Sequence, residues 1–128
     1  EVMHAVKPFV AFDIGIPLKD MQAFIEHMLA AINTQFPQAI NQLFGHLGDG
    51  NLHLTTGLLK EDELLPVEEL VYQICAEYNG NITAEHGIGR IKKPFLHYSR
   101  SPEQIALMQT IRQVLNPDNR QNAGRVVD

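Results

Sequence analysis

The chain has 128 residues, 45% hydrophobic and 20% charged, with a formal net charge of −5. That length supports one domain around one apolar core, with the composition of an ordinary globular protein. A basic cluster no longer than Arg90-Ile91-Lys92-Lys93 argues against a nucleic-acid footprint, and no apolar run nears the ~20 residues that span a bilayer.

Residues 9–16, FVAFDIGI, alternate with period two: Val10, Phe12, Ile14 and Ile16 share one face, and Phe9, Ala11, Asp13 and Gly15 the other. This predicts a strand with one apolar side, ended by Pro17. Met21, Phe24, Ile25, Met28, Leu29 and Ile32 then recur at three- and four-residue steps, the stripe of a helix that Gln35-Phe36-Pro37 closes. Residues 39–47 and 51–58 are short apolar stretches around Gly48-Asp49-Gly50, where glycine supplies the backbone freedom of a tight reversal; two antiparallel strands are expected. Val67, Leu70, Val71, Ile74, Cys75 and Tyr78 mark a second helix, with Pro66 in its first turn and Asn79-Gly80 as its stop. A short strand is predicted over 81–84. The last helix starts with Ser101 as cap, Pro102 at its first position and Gln104 completing a capping box. Ile105, Met108, Ile111, Val114 and Leu115 are its expected buried face. A polar tail follows Asn116-Pro117.

The order is strand, helix, strand, strand, helix, strand, then an extra helix and tail. It predicts an α+β fold, a ferredoxin-like antiparallel sheet with helices on one face, filling residues 1–128 as a single domain. The lone cysteine, Cys75, lies in an apolar helical stripe and is expected to be a buried thiol, pointing to a reducing, cytoplasmic compartment. The chain opens Glu-Val-Met-His and reads as a processed or excised fragment without a signal peptide.

Chemistry concentrates in HLGDGNLHL (46–54) and TAEHGIGRIKK (83–93). If Leu47 and Leu52 flank the turn and point into the core, His46 and His53 stand directly opposite each other on one face. Cross-strand Cβ atoms are then ~5 Å apart, close enough for both imidazoles to share a metal ion. Glu85 can add a carboxylate, a set that suits zinc, manganese or iron(II) alike. His86, next in an extended segment, points away from Glu85 and is free for proton transfer. Gly87 and Gly89 would allow close approach of a cofactor or substrate. The bland readings stay open: a histidine pair around a turn can be structural or merely exposed. His4, His27 and His97 read as surface or core residues, and the RIKK run as a solvated or salt-bridged face. Arg90 or Lys92 could still draw a substrate carboxylate. No nucleotide-binding or calcium-loop motif is present.

DIGIPL, GHLGDGNLHL, ITAEHGIGRIKK and LNPDNRQNAGRV, in that order, resemble the C-terminal domain of FAD-linked 2-hydroxyacid dehydrogenases, whose members act on D-lactate, glycolate or D-2-hydroxyglutarate. HxGDGNxH joined to EHGIGxxK is the specific part, and the likeness runs through the whole chain. The resemblance implies a cap over an upstream FAD-binding domain, and a divalent zinc or manganese ion held by His46, His53 and Glu85. It casts His86 as catalytic base, Asn51 and Asn122 as residues near the cofactor, and Lys92 and Thr55 as substrate contacts. It further implies that a small D-2-hydroxy acid of lactate or glycolate type becomes a 2-oxo acid, its hydroxyl proton passing to His86 and its α-hydrogen to flavin as hydride. Departures from the family pattern are Ala11 in place of a lysine, Thr55 in place of an asparagine, Ala123 in place of a proline and Arg125 in place of a lysine. The first weakens a hydroxyglutarate assignment. Without its flavin domain the chain is expected to be inactive. A pairing module, such as a homodimer through exposed apolar surface, and a stand-alone metal-dependent hydrolase are the competing expectations.

Overall fold

The computed structural model describes residues 6–46 and 48–127. The expectations for His4 and Leu47 lie outside that range. Strand β1, Phe9–Gly15, keeps the predicted alternation: Phe12 and Ile14 turn into the core with Ile16 just beyond. Helix α1, Met21–Gln35, buries Met21, Phe24, Met28 and Ile32, spaced three, four and four residues apart. Each such side chain contributes ~1.5–3 kcal/mol on leaving water. Strands β2, Ile40–His46, and β3, Asn51–Gly57, form the expected hairpin. Helix α2, Leu64–Glu77, buries Val67, Val71, Tyr72, Ile74 and Cys75. Its end matches the stop signal, since Asn79 takes φ +54° and the Gly80 N–H donates to the Cys75 carbonyl at 2.8 Å.

The sheet is antiparallel with order β1-β3-β2. One face presents Phe12, Ile14, Leu52 and Leu54 to α1 and α2 in a single core, where Phe12 meets Tyr72 edge to face at 5.5 Å. The fold is α+β, as predicted, and the β-α-β-β-α path is that of a ferredoxin-like domain. Its fourth strand is the first correction. Residues 81–84 make one bridge, with Asn81 exchanging two hydrogen bonds with Gly15 at 2.7 and 2.9 Å, and no strand. Past the bridge, the Ile82 N–H donates to Ser99 Oγ, and the Ala84, Glu85 and His86 amides go to the Asp13 carbonyl and carboxylate instead of a ladder.

The second correction concerns the last helix, α3, Pro102–Leu115. Its start is as read: Ser101 Oγ accepts the Gln104 N–H at 3.3 Å, and Gln104 Oε1 accepts the Ser101 N–H at 2.9 Å. It nevertheless has no buried residue, and Val114 and Leu115 are 74% and 78% exposed. A 3.6-residue stripe shows that a helix has an apolar side, not that this chain covers it. The tail after α3 is irregular but held. Arg112 reaches the Asn119 side chain and the Gln121 and Asn122 carbonyls, while the Val126 N–H donates to the Gly89 carbonyl at 2.9 Å.

Candidate functional site

The sheet face turned away from the helices carries three cross-strand rows: Gly15–Asn51–His46, Asp13–His53–Phe44 and Ala11–Thr55–Gln42. His46 therefore pairs with Asn51, and His53 with Phe44, not with each other. Pairing begins at His46 and Asn51, with the turn at residues 48–50 between them, and Leu52 pairs with Gly45 rather than with the expected Leu47. A register shift by two keeps every side chain on its face, and the histidines meet on the diagonal, which long or aromatic side chains can still bridge. Their ring centroids are 5.8 Å apart, at 75°.

Local sequence explains the reversal. Gly50 has φ +75° and its carbonyl accepts the Ile16 N–H at 2.9 Å; a Cβ there would stand 2.4 Å from the Ile16 oxygen. Asp49 Oδ1 accepts the Asn51 N–H at 3.1 Å, tightening the corner. The turn is thereby pinned to the end of β1.

Glu85 arrives from the segment after the bridge. Its Oε1 lies 3.6 Å from His46 Nε2 and 3.9 Å from His53 Nε2. One donor atom from each of the three residues falls within 4.8 Å of the others. Asn51, only 4% exposed, donates its side-chain amide to the same Glu85 oxygen. His53 is the sheltered member, its side chain 17% exposed against 63% for His46, and the exposed Phe44 ring stacks on it at 5.0 Å. Two imidazoles and a carboxylate of oriented geometry are donors of the kind that fit one divalent ion.

Asp13 lies under this cluster. Its Oδ2 accepts the backbone N–H groups of Glu85 at 2.9 Å and His86 at 3.0 Å. Burial by itself pushes the carboxyl pKa up, but those two bonds, with Lys92 and His86 nearby, outweigh it and hold it below the usual aspartate range. Lys92 departs from the solvated or salt-bridged face expected of RIKK. Its ammonium donates to the Ile82 carbonyl at 3.0 Å, while the neighbouring Ile91 stands in solvent. Burial pulls the Lys92 pKa down, and Asp13 and Glu68 oppose that pull. His86 is exposed and lines an open cavity of about 330 Å³ with Ala11, Glu68 and Lys92. Thr55 is buried in the row next to His53. Asn122, at φ +51°, belongs to the Arg112-held tail, and among the described residues no hydrogen bond ties it to the histidines. His27 faces Glu77 and Tyr78, and His97 the Pro94 carbonyl, so both serve local packing.

A family model described as FAD linked oxidases, C-terminal domain, matches residues 2–126. The chain belongs to that family. This FAD-linked oxidase C-terminal domain is 35% identical over 123 residues to a D-2-hydroxyglutarate dehydrogenase of Stutzerimonas stutzeri, covering 89% of the chain and 26% of the relative. It is 34% identical to a mitochondrial D-2-hydroxyglutarate dehydrogenase of Arabidopsis thaliana, covering 99% of the chain and 22% of that protein. It is 46% identical over 117 residues to a Schizosaccharomyces pombe protein whose name provisionally makes it a mitochondrial D-lactate dehydrogenase, covering 84% of the chain and 22% of the relative. The chain thus spans about a quarter of the length of the curated relatives it matches. No helix among the described residues is long and apolar enough to cross a membrane. Two site residues escaped the sequence reading of this oxidase domain, Asp13 and Phe44. A charge on the second face of β1 was the available signal for Asp13; Phe44 became visible only with the register.

Proposed function

We propose that this chain is the substrate- and metal-binding domain of an FAD-dependent dehydrogenase that oxidises a D-2-hydroxy acid to the 2-oxo acid, together with an FAD-binding domain of the same longer protein. The observation that carries the reading is the convergence of His46, His53 and Glu85 on the sheet face opposite the core. When bound, a zinc or manganese ion supplies Lewis-acid polarisation and FAD supplies a hydride acceptor. His46, His53 and Glu85 hold the ion, and Asn51 orients the carboxylate. His86, at the open cavity, takes the hydroxyl proton of the substrate. Lys92, lining the same cavity, attracts its carboxylate, and Asn51 and Asn122 approach the cofactor side. Ala11 lines this cavity too, and with Thr55 it places no cation in the row beside His53. A substrate with one carboxylate, of lactate or glycolate type, suits such a wall better than one with two. The buried Cys75 is compatible with a reducing compartment, cytoplasmic or, as in several relatives' names, mitochondrial.

The test uses the full-length protein. His53→Ala and Glu85→Ala are each expected to lower metal affinity by about 10–100-fold, measured by metal analysis after dialysis. His86→Ala should retain metal and flavin while kcat for D-lactate falls by about 10²–10⁴-fold. Parental turnover in that variant removes His86 as the base. Flavin bleaching by D-2-hydroxyglutarate in preference to D-lactate and glycolate overturns the substrate reading. Ester hydrolysis abolished by chelation, with no flavin reduction, would favour the hydrolase.

A further inference from the structure

We propose that Asp13 is a positioning residue that sets Glu85 and His86 together, an inference that rests on the reading just given. It sits on β1 directly across from His53, with only 4% of its surface exposed. A carboxylate so placed costs stability unless its oxygens are satisfied. Its side chain bonds to one short segment: Oδ2 takes the Glu85 and His86 N–H groups and the Thr83 hydroxyl, at 2.9, 3.0 and 3.4 Å, and its backbone carbonyl takes the Ala84 N–H at 3.2 Å. Its other oxygen, Oδ1, is buried without a hydrogen-bond partner, so the side chain's bonding is committed to that segment.

The segment needs such an anchor because it has no ladder. Beyond the Asn81 bridge, Asp13 holds the backbone amides of Ala84, Glu85 and His86 to the sheet, Asn51 reaches only the Glu85 side chain, and Lys92 secures the Ile82 carbonyl from behind. Drawing two consecutive amides onto one oxygen fixes the backbone between them. The side chains then diverge, Glu85 toward His46 and His53, and His86 toward the cavity beside Ala11. One buried carboxylate thereby aligns a metal-ligand candidate and a proton acceptor whose tasks differ.

The experiment compares Asp13→Asn and Asp13→Ala with Glu85→Gln and His86→Ala in the full-length protein, reading zinc affinity, kcat, KM and hydrogen exchange of the Glu85 and His86 amides in zinc-free protein. Asp13→Ala is expected to lower zinc affinity and kcat by about 10–100-fold while KM moves less than about threefold. Asp13→Asn, which keeps an oxygen but loses the charge, should fall about tenfold and speed exchange at both amides. If Asp13→Ala fails to fold, the isosteric Asn variant decides. A lowered melting temperature with parental zinc affinity and kcat makes Asp13 merely structural and overturns the inference. Should Glu85→Gln and His86→Ala also behave as parent, the site reading itself falls and takes the role of Asp13 with it.

Discussion

Asn51 spends a buried side chain on an exposed partner. Its amide reaches the Glu85 carboxylate while its N–H is held by Asp49, so orientation is set from inside the sheet. Such support is what the proposed ligand role of Glu85 requires to keep one geometry. Cys75 shows burial acting with little opposition. Desolvation, offset only in part by Lys92, pushes its thiol up to about 12. The folded chain thus holds this proton over a range where the unfolded chain releases it. Its contribution to stability is complete below about pH 9 and is lost as pH rises toward about 12. Native protein at pH 8 is expected to resist iodoacetamide, urea-unfolded protein to react at an ordinary thiol rate, and Cys75→Ala to flatten the alkaline fall in melting temperature. Ready alkylation of the native state would contradict the burial.

Among the elements, the β2–β3 hairpin matters most, because its register decides which side chains share a face. Gly50→Ala would force a Cβ against the Ile16 carbonyl at a positive φ that L-residues disfavour by ~1–2 kcal/mol. It is expected to cost about 2 kcal/mol or more in chemical denaturation and to weaken metal binding through His46; a neutral outcome would show that the turn is not pinned to β1. The glycines and the two apolar runs made the hairpin legible. The register was not, because Gly48-Asp49-Gly50 accepts either of two four-residue links, and both leave the histidines on the same side. The predicted strand over 81–84 failed for a comparable reason. Its composition permits a ladder, but past Asn81 the Ile82 N–H goes to Ser99 Oγ, and the Glu85 and His86 amides that would extend a ladder go to the Asp13 carboxylate.

On the scale of the whole molecule, one core holds the sheet and two helices, and α3 stands with Leu107, Ile111, Val114 and Leu115 toward solvent. An apolar stripe of this kind marks a contact surface. Its proposed occupant is the FAD-binding domain of the longer protein, since the relatives are about four times the length of this chain. Leu107→Lys with Leu115→Lys should leave the fold of this domain intact, loosen the two domains to limited proteolysis and reduce retained flavin. Unaltered proteolysis and flavin content would reassign the stripe. Concentration-dependent dimerisation of the parent chain, lost in the double variant, would assign it to a second copy instead.

Hydrophobic periodicity and turn residues were sufficient for the α+β class, the cap of α3, the hairpin and the shared face of His46 and His53, because each depends on neighbours within a few positions. Glu85, by contrast, was placed beside them by the motif resemblance. Tertiary structure decided the diagonal pairing of His46 with His53, the inward turn of Lys92, the bare face of α3 and the place of Asp13 beneath Glu85 and His86. Those outcomes depend on which distant groups compete for the same hydrogen bonds and the same buried space, a contest that residue spacing does not record.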